Sequence, residues 1–180
     1  MASDLLSDDS DIVAVSIYRT DATKTERSFY QDKFMQTYGL DKGFFAKINE
    51  LNPVPLNEIL HSGEDIWNAS VDGGPPLIGY GRLVVAQDER GRPLEQWAIV
   101  GFVKLDRFLK SVSLVQLSEV FVANRRGQVL VRSNASSLLK HPNVGSDPLF
   151  VEAEAMPAKI SVVRRDLGHE KASRGAGQGF

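Results

Sequence analysis

The residues best suited to chemistry lie in one apolar strand. Alternation over Leu77–Val85 puts Ile78, Tyr80, Arg82 and Val84 on one face and Leu77, Gly79, Gly81 and Leu83 on the other. Arg82 thus stands within an otherwise apolar face. Its guanidinium could hold a carboxylate or phosphate through two parallel hydrogen bonds, and the Tyr80 hydroxyl could add another, as a sensor for a small anion requires. A plainer role is somewhat favoured: an arginine in such a place pairs with a carboxylate at the sheet edge.

A second set of candidates precedes this strand. Trp67, Asn68 and Ser70 lie just before the turn-rich Asp72-Gly-Gly-Pro-Pro76 and offer a stacking surface, an amide and a hydroxyl. Against a binding role for Trp67 stands a place in the core. Trp97 opens a run whose faces, Trp97, Ile99, Val103, Leu105 and Ala98, Val100, Phe102, are apolar on both sides, so core packing is its favoured role. Gly79, Gly81 and Gly101 weaken their strands, which implies that a helix or a ligand approaches the backbone there.

Catalytic constellations are not evident. His61, His141 and His169 fall at a helix end, in a proline-flanked turn and in the tail, without partners at ligand spacing. Gly79-Tyr-Gly81 lies inside a strand and lacks the third glycine and following helix of a phosphate loop. With no cysteine there are no disulfides, thiolate metal sites or thiol switches. Neither enzymatic activity, a cofactor nor a metal is expected. Lys and Arg, 21 in all, nearly balance 23 Asp and Glu and are scattered, which leaves no footprint for nucleic acid, and Arg125-Arg126 reads as a solvated turn. The sequons Asn68-Ala-Ser70 and Asn134-Ala-Ser136 are short enough to arise by chance.

The elements that must position these residues follow from periodicity. Ile12–Tyr18 is a largely buried strand and Arg27–Gln31 a short second one. Spacing of three and four begins at Phe34. Asp41 can cap a turn into a helix bearing Phe44, Phe45, Ile48 and Leu51, Pro53 and Pro55 interrupt, and Leu56–His61 ends at Gly63. A strand precedes the Gly-Pro turn. Leu77–Ala86 and Gln96–Leu105 form a long-looped hairpin around Asp88–Pro93. Asp106 then starts a helix, and Glu119–Ala123 and Val129–Val131 make a second hairpin through Asn124–Gly127. Ser146-Asp147-Pro148 opens a further helix with Leu149, Phe150, Ala153 and Met156 as its buried stripe, and Lys159–Arg164 reads as a last strand. From Asp166 the chain is polar and glycine-rich, too poor in apolar groups to offset its ordering entropy, and is expected to be disordered. The order describes an α+β domain over residues 1–165, with an antiparallel sheet and helices beside it. With 42% apolar residues and a net charge of −2, 180 residues suffice for one core.

Ile12–Tyr18, Asn68-Ala-Ser70, the glycine-bearing strand and Val100–Leu105 with Asp106-Arg-Phe-Leu109 resemble Cache sensor domains. The closest pattern is Glu119–Asn134, in which strand, polar-Gly turn and strand lead to a small polar segment, and then Ser146-Asp-Pro-Leu149. The likeness spans roughly Asp11–Met156. It implies a five- or six-stranded antiparallel PAS-like sheet, a long N-terminal helix running out of the membrane, and a small-molecule pocket between sheet and loops, where the Trp67–Ser70 region helps line the site. Similar modules precede histidine kinases, chemoreceptors, diguanylate cyclases and adenylate or guanylate cyclases, and this version looks most like those of nucleotide cyclases. The aromatic and arginine cluster of amino-acid-binding Cache domains has no counterpart here, which puts amino-acid sensing in doubt.

The expectation is therefore a periplasmic or extracellular sensing module of a bacterial membrane protein, joined to the membrane through flanking helices and homodimeric in the full-length receptor. The start, MASDLLSDDSD, lacks a signal peptide's basic beginning and apolar run, as expected of a cytoplasmic protein or of a segment excised from a longer chain. Binding residues would be Arg82, Tyr80, Trp67, Asn68 and Ser70, with an anionic small molecule the ligand class that Arg82 suits. The alternative is a ligand-free PAS-like scaffold that sets dimer geometry.

Overall fold

The computed structural model describes residues 6–19, 25–91, 93–113, 121–132, 135–140 and 142–155. The expected strand Lys159–Arg164, the polar tail, His141, His169 and Met156 lie outside them. The fold is α+β with an antiparallel five-stranded sheet. Contacts gather the chain into two compact units, Met1–Leu105 and Asp106–Phe180, where sequence patterning treats residues 1–165 as one domain.

The first unit begins with the β-branched run that sequence periodicity marks as a strand, β1 (Ile12–Arg19), followed by β2 (Thr25–Tyr30). Three short helices come next: α1 (Asp32–Thr37), α2 (Phe44–Leu51) and α3 (Leu56–Ser62). The Asp41 carboxylate accepts the Gly43 N–H at 2.7 Å and closes the turn that leads into α2. Gly63 ends α3 in the left-handed region, with φ of 82°, where a side chain would be strained. Then follow β3 (Glu64–Asn68), β4 (Leu77–Gln87) and β5 (Pro93–Lys104).

The strand order is β2-β1-β5-β4-β3, every neighbour antiparallel. The chain thus crosses from one sheet edge to the other between β2 and β3, and the helices occupy that crossing. Ala14, Tyr18, Leu77, Ala98, Val100 and Phe102 point into one core with Phe34, Phe45, Ile48 and Ile59 from the helices. Its centre is aromatic. Phe45 stacks on Tyr30 with centroids 5.1 Å apart and meets Phe102 at 5.2 Å, so residues from β2, α2 and β5 lock helix to sheet.

The second unit contains α4 (Asp106–Ser113), the hairpin β6 (Phe121–Ala123) and β7 (Val129–Arg132), a 3-10 turn (Ala135–Lys140) and α5 (Pro148–Ala155). The hairpin forms its own two-stranded sheet. Its turn is built by Asn124, whose side-chain oxygen accepts the N–H groups of Arg126 and Gln128 at 3.0 and 3.1 Å. Pro148 opens α5 as sequence patterning predicts, with Phe150 and Ala153 half-buried.

Candidate functional site

Register fixes which side chains share a face. Across the sheet, directly paired residues project on one side, and two rows lie on the face opposite the helices: Phe29–Val15–Gly101–Tyr80–Ile66 and Arg27–Ile17–Ile99–Arg82–Glu64. A third row, Arg19–Trp97–Val84, continues it. This outer face is apolar along its middle and charged at its rims. Tyr80, Val84 and Ile99 are each about two-fifths exposed, at 38%, 41% and 40%.

Tyr80 and Arg82 meet on this outer face, as alternation predicts. Arg82 stands beside Glu64 of β3, and the Tyr80 hydroxyl donates to a Glu64 carboxylate oxygen at 2.7 Å. That hydrogen bond, with some burial and the negative charge of Glu64, raises the Tyr80 pKa above the ordinary 10.0, while the Arg82 guanidinium pulls it down. Tyrosine, arginine and carboxylate thus form one interacting group. An incoming carboxylate or phosphate has a cation and a phenol to bind, but must compete with Glu64 for the phenol.

The remaining three candidates are elsewhere. Trp67 is 2% exposed and projects inward with its register partner Gly79. Its indole lies across β4 where a Cβ on Gly79 would overlap its ring, and it meets Phe102 edge-on at 6.5 Å. Its Nε1 is buried and without a hydrogen-bond partner among the described residues. Asn68 and Ser70 are wholly buried and bind the chain to itself. The Asn68 side-chain oxygen accepts the Ser70 N–H at 2.9 Å, the Ser70 hydroxyl donates to the Leu77 carbonyl at 3.2 Å and accepts the Leu77 N–H at 3.1 Å, and the Asn52 amide donates to the Asn68 carbonyl. These bonds fix the end of β3 against the start of β4. The five sequence candidates therefore do not form one site: two lie on the outer face, one in the inner core and two in a buried strand junction.

Of the three glycines read as points of close approach, two are explained. Gly79 receives the Trp67 indole and Gly81 receives Ile59 of α3, whereas a Cβ on Gly101 would meet nothing within 4 Å. Gly101 instead leaves a dimple in the middle of the outer face. Trp97, expected in the core, is half-buried on the outer face, because β5 turns Ala98, Val100 and Phe102 inward.

Glu64, the acceptor of the Tyr80 hydroxyl, is the member of this group that sequence patterning misses. Its only signal is its place at the start of a strand, since its match to Arg82 depends on register. A recess of about 350 Å³ lined by Gly39, Leu40, Asp41, Gly43, Phe44, Lys47 and Gly73 contains none of the sequence candidates. Among the described residues no helix is long and apolar enough to cross a membrane. No family model matches the sequence, and a search of curated proteins finds no match to it.

Proposed function

We propose that this chain is a PAS-like sensory module of the Cache kind, from a bacterial transmembrane signalling protein, and that its working surface is the outer face of the five-stranded sheet. The observation that carries this reading is the two-sidedness of the sheet. Helices inserted between β2 and β3 bury the centre of one face, while the other keeps an apolar middle with Arg82, Tyr80 and Glu64 at its rim. Such a face suits packing against a flanking helix of the receptor.

Signal entry is assigned to the rim group. An anion that binds the Arg82 guanidinium sets a second acceptor beside the Tyr80 hydroxyl, which leaves Glu64 for the ligand; the energetic difference between the two arrangements is what a bound helix would read. Trp67, Asn68 and Ser70 hold the strands in place for this step and do not touch the ligand.

A second reading, the ligand-free scaffold, draws on the inner face. There Trp67 fills the space over Gly79 that a ligand approaching the sheet would need. A thermal-shift screen against organic acids, amino acids, purines and nucleotides separates the two, because a ligand specific for the folded state raises Tm. Stabilisation by an anion that Arg82→Ala abolishes supports the sensor. Stabilisation by nothing in the panel assigns the module to the scaffold.

A further inference from the structure

Strand edges in a soluble sheet are templates for pairing, and proteins blunt them with charge, proline or a bulge. The outer strand β2 carries Glu26 and Arg27, and β3 carries Glu64 and Asp65. The β4–β5 hairpin runs past both its neighbours: pairing with β3 stops at Arg82, and pairing with β1 stops at Trp97. Beyond those points it is, among the described residues, a two-stranded ribbon with no further strand paired on either edge. The β5 edge has Pro93 and Glu95, and a bulge where Ala86 and Gln87 face Glu95 and Pro93 with Leu94 between. The β4 edge, Leu83-Val-Val-Ala-Gln87, has no charge, proline or glycine.

We propose that this β4 edge is a self-association site, where Val84–Asp88 pairs antiparallel with the same segment of a second copy, centred on Ala86. This inference goes beyond the sensory reading and does not depend on it. The Leu83 N–H donates to the Gly63 carbonyl at 2.8 Å on the β3 side. Main-chain groups alternate along a strand, so those of Val85 and Gln87 also point to that side, past the end of β3. Centring on Ala86 sets Val85 opposite the other copy's Gln87 and keeps the incoming strand clear of Gly63.

The segment is chemically self-complementary. Ala86 faces Ala86, Val85 faces Gln87, and Val84 faces Asp88, so the two Asp88 residues fall at opposite ends and no like charges meet. The ribbon also exposes apolar side chains: Leu94 at 67%, across the hairpin from Ala86 and Gln87, and Val84 and Val85 at 41% and 37%. Joining two ribbons makes a four-stranded sheet, which escapes the marginal stability of an isolated hairpin.

The test is sedimentation equilibrium of the full chain over roughly 10 µM to 1 mM, the range suited to a small interface, together with amide hydrogen exchange. The expected result is a monomer–dimer equilibrium in which exchange at Val85 and Gln87 slows as concentration rises. Val85→Pro removes an outward N–H without touching the ladder to β5, and Val85→Lys adds an edge charge, so each should weaken the dimer by about tenfold or more. If the proline variant fails to fold, the lysine variant gives the answer. A chain monomeric throughout the range, or a dimer unaltered by Val85→Lys, overturns the proposal. So does protection of Val85 and Gln87 that ignores concentration, because it means that another segment of the same chain covers the edge.

Discussion

The two faces of the five-stranded sheet use the same residue types to opposite ends. Inside, Trp67 lies on Gly79 and against Phe102, and Ile59 closes on Gly81, so the glycines are seats for large side chains. Outside, Trp97 and Gly101 also belong to an apolar row structure, yet the tryptophan is half-buried and the glycine opens onto empty space. The difference is that helices bury the centre of the inner face, whereas Tyr80, Val84 and Ile99 on the outer face are each about two-fifths exposed. Residue type alone does not separate a core tryptophan from a surface one; the element packed over it does.

The sharpest way to break this comparison is to truncate the tryptophans. Trp67→Ala removes a fully buried ring and leaves a cavity, for an expected loss of about 3–5 kcal/mol in urea unfolding. Trp97→Ala removes partly solvated surface and should cost less than half as much. Equal losses would mean that the outer face is as closed as the core. Trp67→Phe should recover much of the loss, since the indole N–H that it deletes makes no hydrogen bond among the described residues.

The glycines sharpen the same contrast at smaller amplitude. A Cβ at Gly79 strikes a rigid indole, so Gly79→Ala should cost about 1–3 kcal/mol by overpacking. At Gly81 the obstacle is the flexible end of Ile59, and Gly81→Ala should fall below that. Gly101→Ala meets nothing, and by restricting the unfolded chain it should be neutral or stabilising by up to about 1 kcal/mol. Chemical denaturation of the three variants checks the order; a costly Gly101→Ala would show that something already packs on the outer face.

Sequence patterning exposes much of this architecture, for reasons that can be named. The continuous apolar, β-branched run of β1 does form a strand, and the split of β4 into a Leu77–Gly79–Gly81–Leu83 face and an Ile78–Tyr80–Arg82–Val84 face survives folding, because each sheet face meets a different medium. Gly63 marks the end of α3 because its φ is one that other residues avoid. The candidate site was half legible. Alternation puts Tyr80 with Arg82, but the carboxylate that accepts from Tyr80 comes from a different strand, and no local signal carries the register of β3 on β4. Asn68 and Ser70 look like ligand groups because their side chains are polar. Their side-chain oxygens are engaged by backbone seven or fewer residues away, which only the folded chain shows. Trp97 misleads because β5 is apolar on both faces, so composition gives no hint that one of them is open.

The smallest effect is the titration of Tyr80. Its folded pKa is raised, chiefly by donating to Glu64, so the native state holds the phenolic proton more tightly than the unfolded chain. This contribution to stability is fully present below the unfolded value near 10 and is lost as pH climbs through the higher folded value, because the proton that made the bond is gone. Ultraviolet difference titration should find one tyrosine ionising late, and Glu64→Gln should move it back toward the ordinary range by removing both the charge and the strongest acceptor. Arg82→Gln should move it the other way, since the guanidinium favours the phenolate. Tyr80→Phe, with the group at the surface, should cost under about 1 kcal/mol. Shifts of opposite sign from Glu64→Gln and Arg82→Gln would show that the rim residues act as one group; a Tyr80 indifferent to both would separate the phenol from the arginine and count against the proposed signal entry at this rim.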